Sequence, residues 1–265
     1  MKCQFCGHQL KLRYSYLKKP KFETNFLIPK KKYKRFFYQC PSCKHFFAIH
    51  NINLDNIYKD NYFVNTYKNL DYALDLTKKI LSYSVKKSDN KQRVKKIIYF
   101  LRKYFGKMNK KISILDIGSG LGVFPYEMQK RGFNILSQEM DIRYVEHHKK
   151  NLKLKSTASN IHDIKKKFNF ITLNKVLEHV VDPLRFLMLV KKKLKKNGIL
   201  YIEVPSFAAA CVGKFREEFF IEHFHVFSKN SILLLADFAN AKIIETQNYV
   251  EPSGKFTISA FFLFK

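Results

Sequence analysis

The chain is poor in acidic residues, glycine and cysteine, and it contains no tryptophan. Only 21 acidic residues stand against 50 basic ones among 265, with nine glycines and five cysteines. No run of eighteen apolar residues occurs, so we expect no membrane-spanning helix. The first residues, MKCQFCGH, lack the apolar core of a secretory signal, and we therefore expect a cytoplasmic protein.

The shortage of acidic residues leaves a formal net charge of +29. A charge of this size is typical of nucleic-acid-binding proteins. Here, however, the lysines are spread through every segment, and the chain is also rich in Asn, Ile, Phe and Tyr, which indicates the codon usage of an A- and T-rich genome. The charge alone therefore does not assign nucleic acid as a partner. An anionic partner stays open, and it could be RNA or a nucleotide-linked sugar.

Three of the nine glycines lie within five residues of one another. The stretch ILDIGSGLG carries a short apolar run and then Gly118, Gly120 and Gly122. An apolar strand that ends in such a turn and leads into a helix is typical of nucleotide-cofactor sites. A dinucleotide fingerprint would need a third glycine at Val123. The pattern is instead DxGxGxG, with Asp116 as its acidic member.

This pattern resembles motif I of class I S-adenosylmethionine-dependent methyltransferases. The resemblance implies that the glycine turn passes under the methionine and ribose of the cofactor, and that Asp116 helps to hold its amino-acid end. An acid about twenty residues further on can accept the ribose hydroxyls, which predicts Glu139 as the ribose ligand. The resemblance places Asn160 near the adenine. The end of the fourth strand adds Asn174 and His179 as pocket residues.

The order of apolar segments predicts an α/β fold. A helix is expected at 91–104 after a break at SDN, and further helices at 142–151, 184–194 and 230–239. Strands are expected at 112–117, 133–139, 154–159, 168–173, 199–205, 241–246 and 255–264, with a basic KKNG turn at 195–198 before the fifth. This resembles the seven-stranded, Rossmann-like core of the same family, closed by an antiparallel hairpin.

Four of the five cysteines form two CxxC pairs, Cys3 with Cys6 and Cys40 with Cys43. This spacing predicts a four-thiolate zinc ribbon with a structural role, because no coordination position would stay open. Two disulfides are the alternative, and they are rare in a reducing compartment. The nearby histidines His8, His45 and His50 are expected to be surface or satisfied residues rather than ligands. Cys211 is expected to be a small buried side chain.

These features predict three regions: a zinc ribbon at 1–50, a helical linker or cap at 51–110, and a methyltransferase core at 111–265 that contains a substrate loop at 205–228. The loop concentrates acids and histidines, and the candidate catalytic residues are Glu222, His223 and His225. A histidine beside a carboxylate can serve as a general base.

The segment EHFHVFS is similar to one in nucleotide-sugar C-methyltransferases, which also begin with a four-cysteine module. That resemblance implies that Glu222 and His223 remove a proton beside a keto group. Phe220 stands where that family has a tyrosine, so methylation of a hydroxyl oxygen stays open beside methylation of carbon. The alternative for the cluster is a loop fixed by salt links and buried histidines.

We therefore predict a methyltransferase that uses S-adenosylmethionine and a structural Zn²⁺, and that acts on a small polar metabolite such as a nucleotide-activated sugar or a polysaccharide precursor. One alternative is an RNA or protein methyltransferase that docks through the basic ribbon. Another is a binding module without catalysis.

Overall fold

The computed structural model describes residues 1–29, 33–50, 52, 69–106 and 112–265. The described strands are β1 (Lys11–Tyr16), β2 (Arg35–Gln39), β3 (Phe46–His50), β4 (Ser113–Ile117), β5 (Asn134–Gln138), β6 (Ser156–Thr157), β7 (Phe168–Asn174), β8 (Leu194–Pro205), β9 (His225–Val226), β10 (Ala241–Val250) and β11 (Phe256–Phe264). The described α-helices are α1 (Leu70–Ser82), α2 (Asp89–Phe105), α3 (Val123–Lys130), α4 (Ile142–Asn151), α5 (Pro183–Lys191) and α6 (Lys229–Phe238). Of the predicted linker at 51–110, residues 51, 53–68 and 107–110 lie outside the described residues.

The larger sheet has seven strands in the order β10-β11-β8-β7-β4-β5-β6. The strands from β4 to β8 pair in parallel, whereas β11 is antiparallel to both β8 and β10. The predicted seven-stranded α/β fold and its closing hairpin are confirmed. From β4 the chain runs outward to β5 and β6, and it then returns to place β7 on the other side of β4. Ligands bind at the carboxyl ends of strands where the direction of an open sheet reverses in this way.

Helices cover both faces of this sheet because its central strands bury both sets of side chains. In β4, Leu115 packs on one face among residues of α5 and α6. Its neighbour Ile114 packs on the other face among residues of α2 and α3. This alternation follows from the two-residue period of a strand. It explains why β4 is an almost continuous apolar run.

Most predicted boundaries agree with the structure to within a few residues. The helix expected at 91–104 is α2, and Ser88 caps it by accepting a hydrogen bond from the backbone N–H of Lys91. One difference concerns KKNG, which the sequence predicts as a turn and the structure includes in β8. Asn197 there has a φ of 59°, and the pairing of β7 with β8 shifts register between Phe168 and Phe170. The segment is therefore an irregular start of the strand.

The smaller sheet has the order β1-β2-β3-β9 and joins distant parts of the chain. Its fourth strand, β9, comes from the predicted substrate loop and pairs with β3, with Phe46 opposite Val226. The N-terminal region thus contacts the core directly, and Cys3 and Phe47 belong to the same buried cluster as Leu200 of β8. None of the helices in the described ranges is both long and apolar enough to cross a membrane.

Candidate functional site

The glycine turn lies directly after β4, at the carboxyl edge of the sheet. Gly118 and Gly122 have φ values of 67° and 74°, which side chains with a Cβ rarely adopt. A Cβ at Gly118 would lie 2.7 Å from Cγ2 of Val176, and one at Gly122 would lie 2.6 Å from Cδ2 of His148. Both positions therefore need glycine for two reasons, the backbone conformation and the close approach of a neighbour.

A cavity of about 660 Å³ opens beside this turn. This volume lies within the usual range of small-molecule and cofactor sites. Among the residues predicted to bind the cofactor, the cavity is lined by Gly118, Gly120, Glu139, Asn160, Asn174 and His179. Asp116 and Gly122 do not line it. The structure thus collects residues from the ends of β4, β5, β6 and β7 around one space.

Asp116 is buried beneath the cavity rather than exposed to it. Its carboxylate accepts hydrogen bonds from Oγ1 of Thr172 (2.6 Å) and Nδ2 of Asn174 (2.9 Å). Burial raises the pKa of Asp116 to about 6, although these bonds and that of Ser119 act to lower it. Since Nδ2 of Asn174 is held by Asp116, its Oδ1 is left as an acceptor. Within the described residues this buried oxygen has no hydrogen-bond partner.

Glu139 follows β5 and reaches back to the glycine turn. One carboxylate oxygen accepts from the backbone N–H of Gly120 (2.9 Å) and the other from the backbone N–H of Met140 (2.8 Å). Burial raises the pKa of Glu139, and these backbone bonds counteract the rise. The carboxylate is therefore fixed against the cavity, where its remaining lone pairs can accept ligand hydroxyls.

Glu178, His179 and His223 meet beside the cavity. His179 lines the cavity, and its ring contacts that of His223 with centroids 4.8 Å apart. Nδ1 of His179 donates to the carbonyl of Glu222 (2.9 Å), and Nδ1 of His223 donates to the carbonyl of Glu218 (3.0 Å). Burial lowers the pKa of His179 to about 4 and that of His223 well below its usual value. Burial therefore favours the neutral form of both rings, in which Nδ1 carries the proton.

The other two predicted catalytic residues are placed differently. The backbone carbonyl of Glu222 accepts a hydrogen bond from Nδ1 of His179, and burial raises the pKa of the Glu222 carboxyl to about 7. His225 lies in β9, where its Nε2 donates to the carbonyl of Val181 (3.2 Å) and its Nδ1 therefore accepts from Nε2 of His45 (3.0 Å). His225 is thus bound to the N-terminal sheet and does not line the cavity.

No pattern in the sequence indicates a role for Lys175. Lys175 has a φ of 57° and lines the cavity, and its ammonium forms an ion pair with Glu251 (2.8 Å). A non-glycine residue in this conformation directly after a strand is often part of a functional site. Its strain could not be read from the sequence.

The four N-terminal cysteines come together as predicted, and none of them forms a disulfide. Sγ of Cys3 lies 3.7 Å from that of Cys43, Sγ of Cys6 lies 3.4 Å from that of Cys40, and all four lie within 4.8 Å of one another. Zinc bonds of about 2.3 Å in a tetrahedron would place sulfurs about 3.8 Å apart. The donor set therefore fits a zinc ion.

The fifth cysteine, Cys211, and the three histidines near the N-terminus differ in burial and in hydrogen-bond partners. The prediction for Cys211 is wrong, because its side chain is exposed at the end of a short 3₁₀ turn, where its thiol donates to the carbonyl of Ala208. His8 is exposed, whereas His45 is buried and bonded to Ser231 and His225. His50 is largely buried, with Nδ1 accepting from the backbone of Ile52. That none of these histidines is a zinc ligand stays a prediction.

A buried ion pair connects the N-terminal region to the loop that carries His223. Arg35 and Glu23 are fully buried side chains joined by a contact of 2.7 Å. Glu23 also accepts from the backbone N–H of Ile221 (2.7 Å), and Arg35 donates to the carbonyl of Phe219. The two charges therefore fix the backbone immediately before Glu222 and His223.

A family model described as "Methyltransferase domain" matches residues 89–246. The ubiquinone biosynthesis O-methyltransferase of Pelagibacter ubique is 34% identical over 116 residues, which cover 39% of this chain and 48% of that protein. The enzyme of the same name from Actinobacillus pleuropneumoniae is 30% identical over 116 residues, covering 39% of this chain and 49% of its own length. The chain thus spans about half the length of these relatives.

Two solved structures share the fold at low identity. The 1,6-didemethyltoxoflavin-N1-methyltransferase of Burkholderia thailandensis, with bound 1,6-didemethyltoxoflavin and S-adenosylhomocysteine, has a TM-score of 0.58 at 12% identity. The match covers 87% of this chain and 96% of that one. The magnesium protoporphyrin IX methyltransferase from Synechocystis PCC 6803, with bound S-adenosylmethionine, has a TM-score of 0.57 at 11% identity, covering 81% of this chain and 98% of that one. These likenesses support the fold alone.

Proposed function

The chain belongs to the methyltransferase domain family, and from this premise we propose that it transfers the methyl group of S-adenosylmethionine to an oxygen of a small polar acceptor. One observation carries the proposal. The wall of a single cavity contains the fixed carboxylate of Glu139, the Asn174 amide, whose oxygen has no partner among the described residues, and the imidazole of His179, which contacts that of His223.

The cofactor would lie across the carboxyl ends of the central strands. Glu139 would accept the ribose hydroxyls, while Gly118 and Gly120 let the backbone pass under the methionine. The amino group would donate to Oδ1 of Asn174, which Asp116 orients from below. Asn160, at the edge of the cavity, would contact the adenine. Asp116 thus acts on the ligand through Asn174 rather than by direct contact.

The acceptor would enter beside His179, with His223 as the residue that activates its hydroxyl through Nε2. Oxygen is favoured over carbon because Phe220 offers no hydroxyl in the loop that the carbon chemistry would use. The O-methyltransferase names of the relatives support the same choice. Most of the rate would come from holding donor and acceptor in line.

A nucleotide-linked sugar is the acceptor class that we propose. The similarity of EHFHVFS to sugar-modifying enzymes supports it, and a net charge of +29 would attract a diphosphate. We further propose that the four cysteines bind one structural zinc ion, since four thiolates leave no position open for a substrate.

Calorimetry with S-adenosylmethionine is the first test. The purified protein should bind the cofactor, and Glu139→Gln should weaken binding about 10- to 100-fold, because hydrogen bonds to a charged group contribute about 1.5–3 kcal/mol. Asp237→Asn, an exposed change on α6, is the matched control and should bind normally. Absence of binding by the unmodified protein would refute the cofactor assignment.

The acceptor is tested by release of S-adenosylhomocysteine with a panel of nucleotide sugars, small phenols and RNA. Turnover with a nucleotide sugar and O-methylated product, identified by mass spectrometry and NMR, is expected. Turnover with RNA alone, with a steep salt dependence, would contradict the small-acceptor proposal.

A further inference from the structure

We infer that Glu178, His179 and His223 form a binding site for a divalent metal ion, separate from the four cysteines. One ligand atom from each of the three side chains lies within 4.8 Å of the other two. The site adjoins the cavity, since His179 is part of the cavity wall. The three residues come from two segments that are distant in sequence, the turn after β7 and the loop after β8.

The hydrogen bonds of the two histidines give both rings the orientation of metal ligands. A carbonyl can only accept, so Nδ1 of each ring carries the proton that it donates to the carbonyl of Glu222 or Glu218. Nε2 of each ring is then the nitrogen with a lone pair. Metal-binding histidines nearly always donate their other N–H to a carbonyl or carboxylate in this way.

The carboxyl group of Glu178 supplies a second, independent argument for a bound cation. Its side chain is completely buried, and neither carboxylate oxygen has a hydrogen-bond partner among the described residues. The charge of Lys175 acts to lower the pKa of this carboxyl, but the ammonium group forms its ion pair with Glu251. A buried carboxyl group without partners costs several kcal/mol unless something compensates it. A cation between Glu178 and the two imidazoles would supply that compensation.

Two imidazoles and one carboxylate are a ligand set for divalent transition metals such as Zn²⁺, Fe²⁺ or Co²⁺, and three protein ligands leave at least one coordination position open. Because His179 is part of the cavity wall, a ligand in the cavity could occupy that open position. This set of two nitrogen ligands and one oxygen ligand leaves a coordination position open, whereas the four thiolates near the N-terminus would fill all four positions of a zinc ion.

The role of the ion rests on the proposed function and refines it. The acceptor hydroxyl would occupy the open coordination position, and His223 would act on it by holding the ion through Nε2 rather than by accepting its proton. Coordination lowers the pKa of the hydroxyl, whose proton passes to solvent water. The oxygen then forms a bond to the methyl carbon while the carbon–sulfur bond breaks. The electron pair of that bond stays on sulfur, so the sulfonium becomes a neutral thioether.

Cobalt titration of the full-length, zinc-loaded protein tests the binding without any assay of activity. One Co²⁺ per chain should bind with visible absorption bands but without the charge-transfer band of a cobalt thiolate. Glu178→Gln and His223→Ala should each weaken this binding at least 10-fold, because each removes one of three ligands. His8→Ala, an exposed histidine, is the matched control and should bind Co²⁺ normally.

Thermal unfolding and calorimetry with S-adenosylmethionine on the same samples separate this inference from the proposed function. Glu178→Gln keeps the shape of the side chain, so it should remain folded and bind the cofactor. Absence of saturable Co²⁺ binding, or equal binding by folded Glu178→Gln, would overturn the metal site while leaving cofactor binding intact. Normal Co²⁺ binding without cofactor binding would instead refute the proposed function alone.

Discussion

Replacing Arg35 by Met should destabilise the protein by about 3–5 kcal/mol, the usual cost of leaving one member of a buried ion pair without its partner. Both side chains of the pair are fully buried, and Arg35 also donates to Oη of Tyr33 (3.1 Å) and to the carbonyl of Phe219. Its guanidinium lies 4.1 Å from the ring centroid of Tyr16. Methionine fills part of this space but replaces none of the donors.

The double variant Glu23→Leu/Arg35→Met should be less destabilised than Arg35→Met alone. It removes the uncompensated carboxylate, and apolar replacements of a buried pair are often neutral or stabilising. The N–H of Ile221 would still lose its acceptor, so we expect a residual cost of about 1–3 kcal/mol. Urea unfolding of the wild type, both single variants and the double variant gives the coupling free energy.

The same variants test whether the pair positions the loop. In folded Arg35→Met, kcat should fall more than 10-fold while the affinity for S-adenosylmethionine stays within about twofold, because the loop bears His223 and the cofactor lies elsewhere. A loss of stability below about 1 kcal/mol, or strictly additive single effects, would refute the reasoning about the pair. Unchanged kcat would refute the positioning role.

Three further predictions concern other parts of the chain. Gly118→Ala should destabilise by about 2–5 kcal/mol in urea and abolish cofactor binding in calorimetry, since its Cβ would meet Val176, whereas Gly120→Ala, with open space, should cost only about 1–2 kcal/mol. Burial raises the pKa of Asp116 to about 6, so its protonated form stabilises the fold below about pH 4 and that contribution is lost as pH rises through 6. The unfolding free energy of the wild type relative to Asp116→Asn should therefore fall by about 3 kcal/mol across this window, and no relative change would contradict it. Cys40→Ser should reduce the zinc content by one ion per chain in elemental analysis and lower the melting temperature of the whole protein in one transition; a separate early transition would show that the N-terminal region unfolds alone.

The sequence predicts the larger sheet well because its signals are local. Apolar runs of strand length, the glycines after β4 and the turn EPSG each report on a few neighbouring residues. The cysteine spacing is equally local, and the four sulfurs do converge. Glu139 and Asn174 were predictable from their position at strand ends, since parallel strands bring their carboxyl ends to one edge.

What the sequence could not predict depends on contacts between distant segments. The strand β9 has two residues, too few for a period, and it forms only because β3 supplies its hydrogen-bonding edge. The position of His225 on the N-terminal sheet follows from that pairing. The isolation of the Glu178 carboxyl likewise depends on which elements bury it, and no pattern in LEHV indicates it.

The loop after β8 is held partly by other segments of the chain. Before β9 its regular structure consists of two short 3₁₀ turns, and its backbone has partners both within the loop and outside it. The carbonyl of Phe224 accepts from Ala48 of β3, and the N–H of Phe224 donates to the carbonyl of Glu178. Arg35 and Glu23 bind the backbone of Phe219 and Ile221, so the N-terminal region holds the segment directly before His223. The cysteine site would then influence methyl transfer through position, without contributing a ligand or a proton to the reaction.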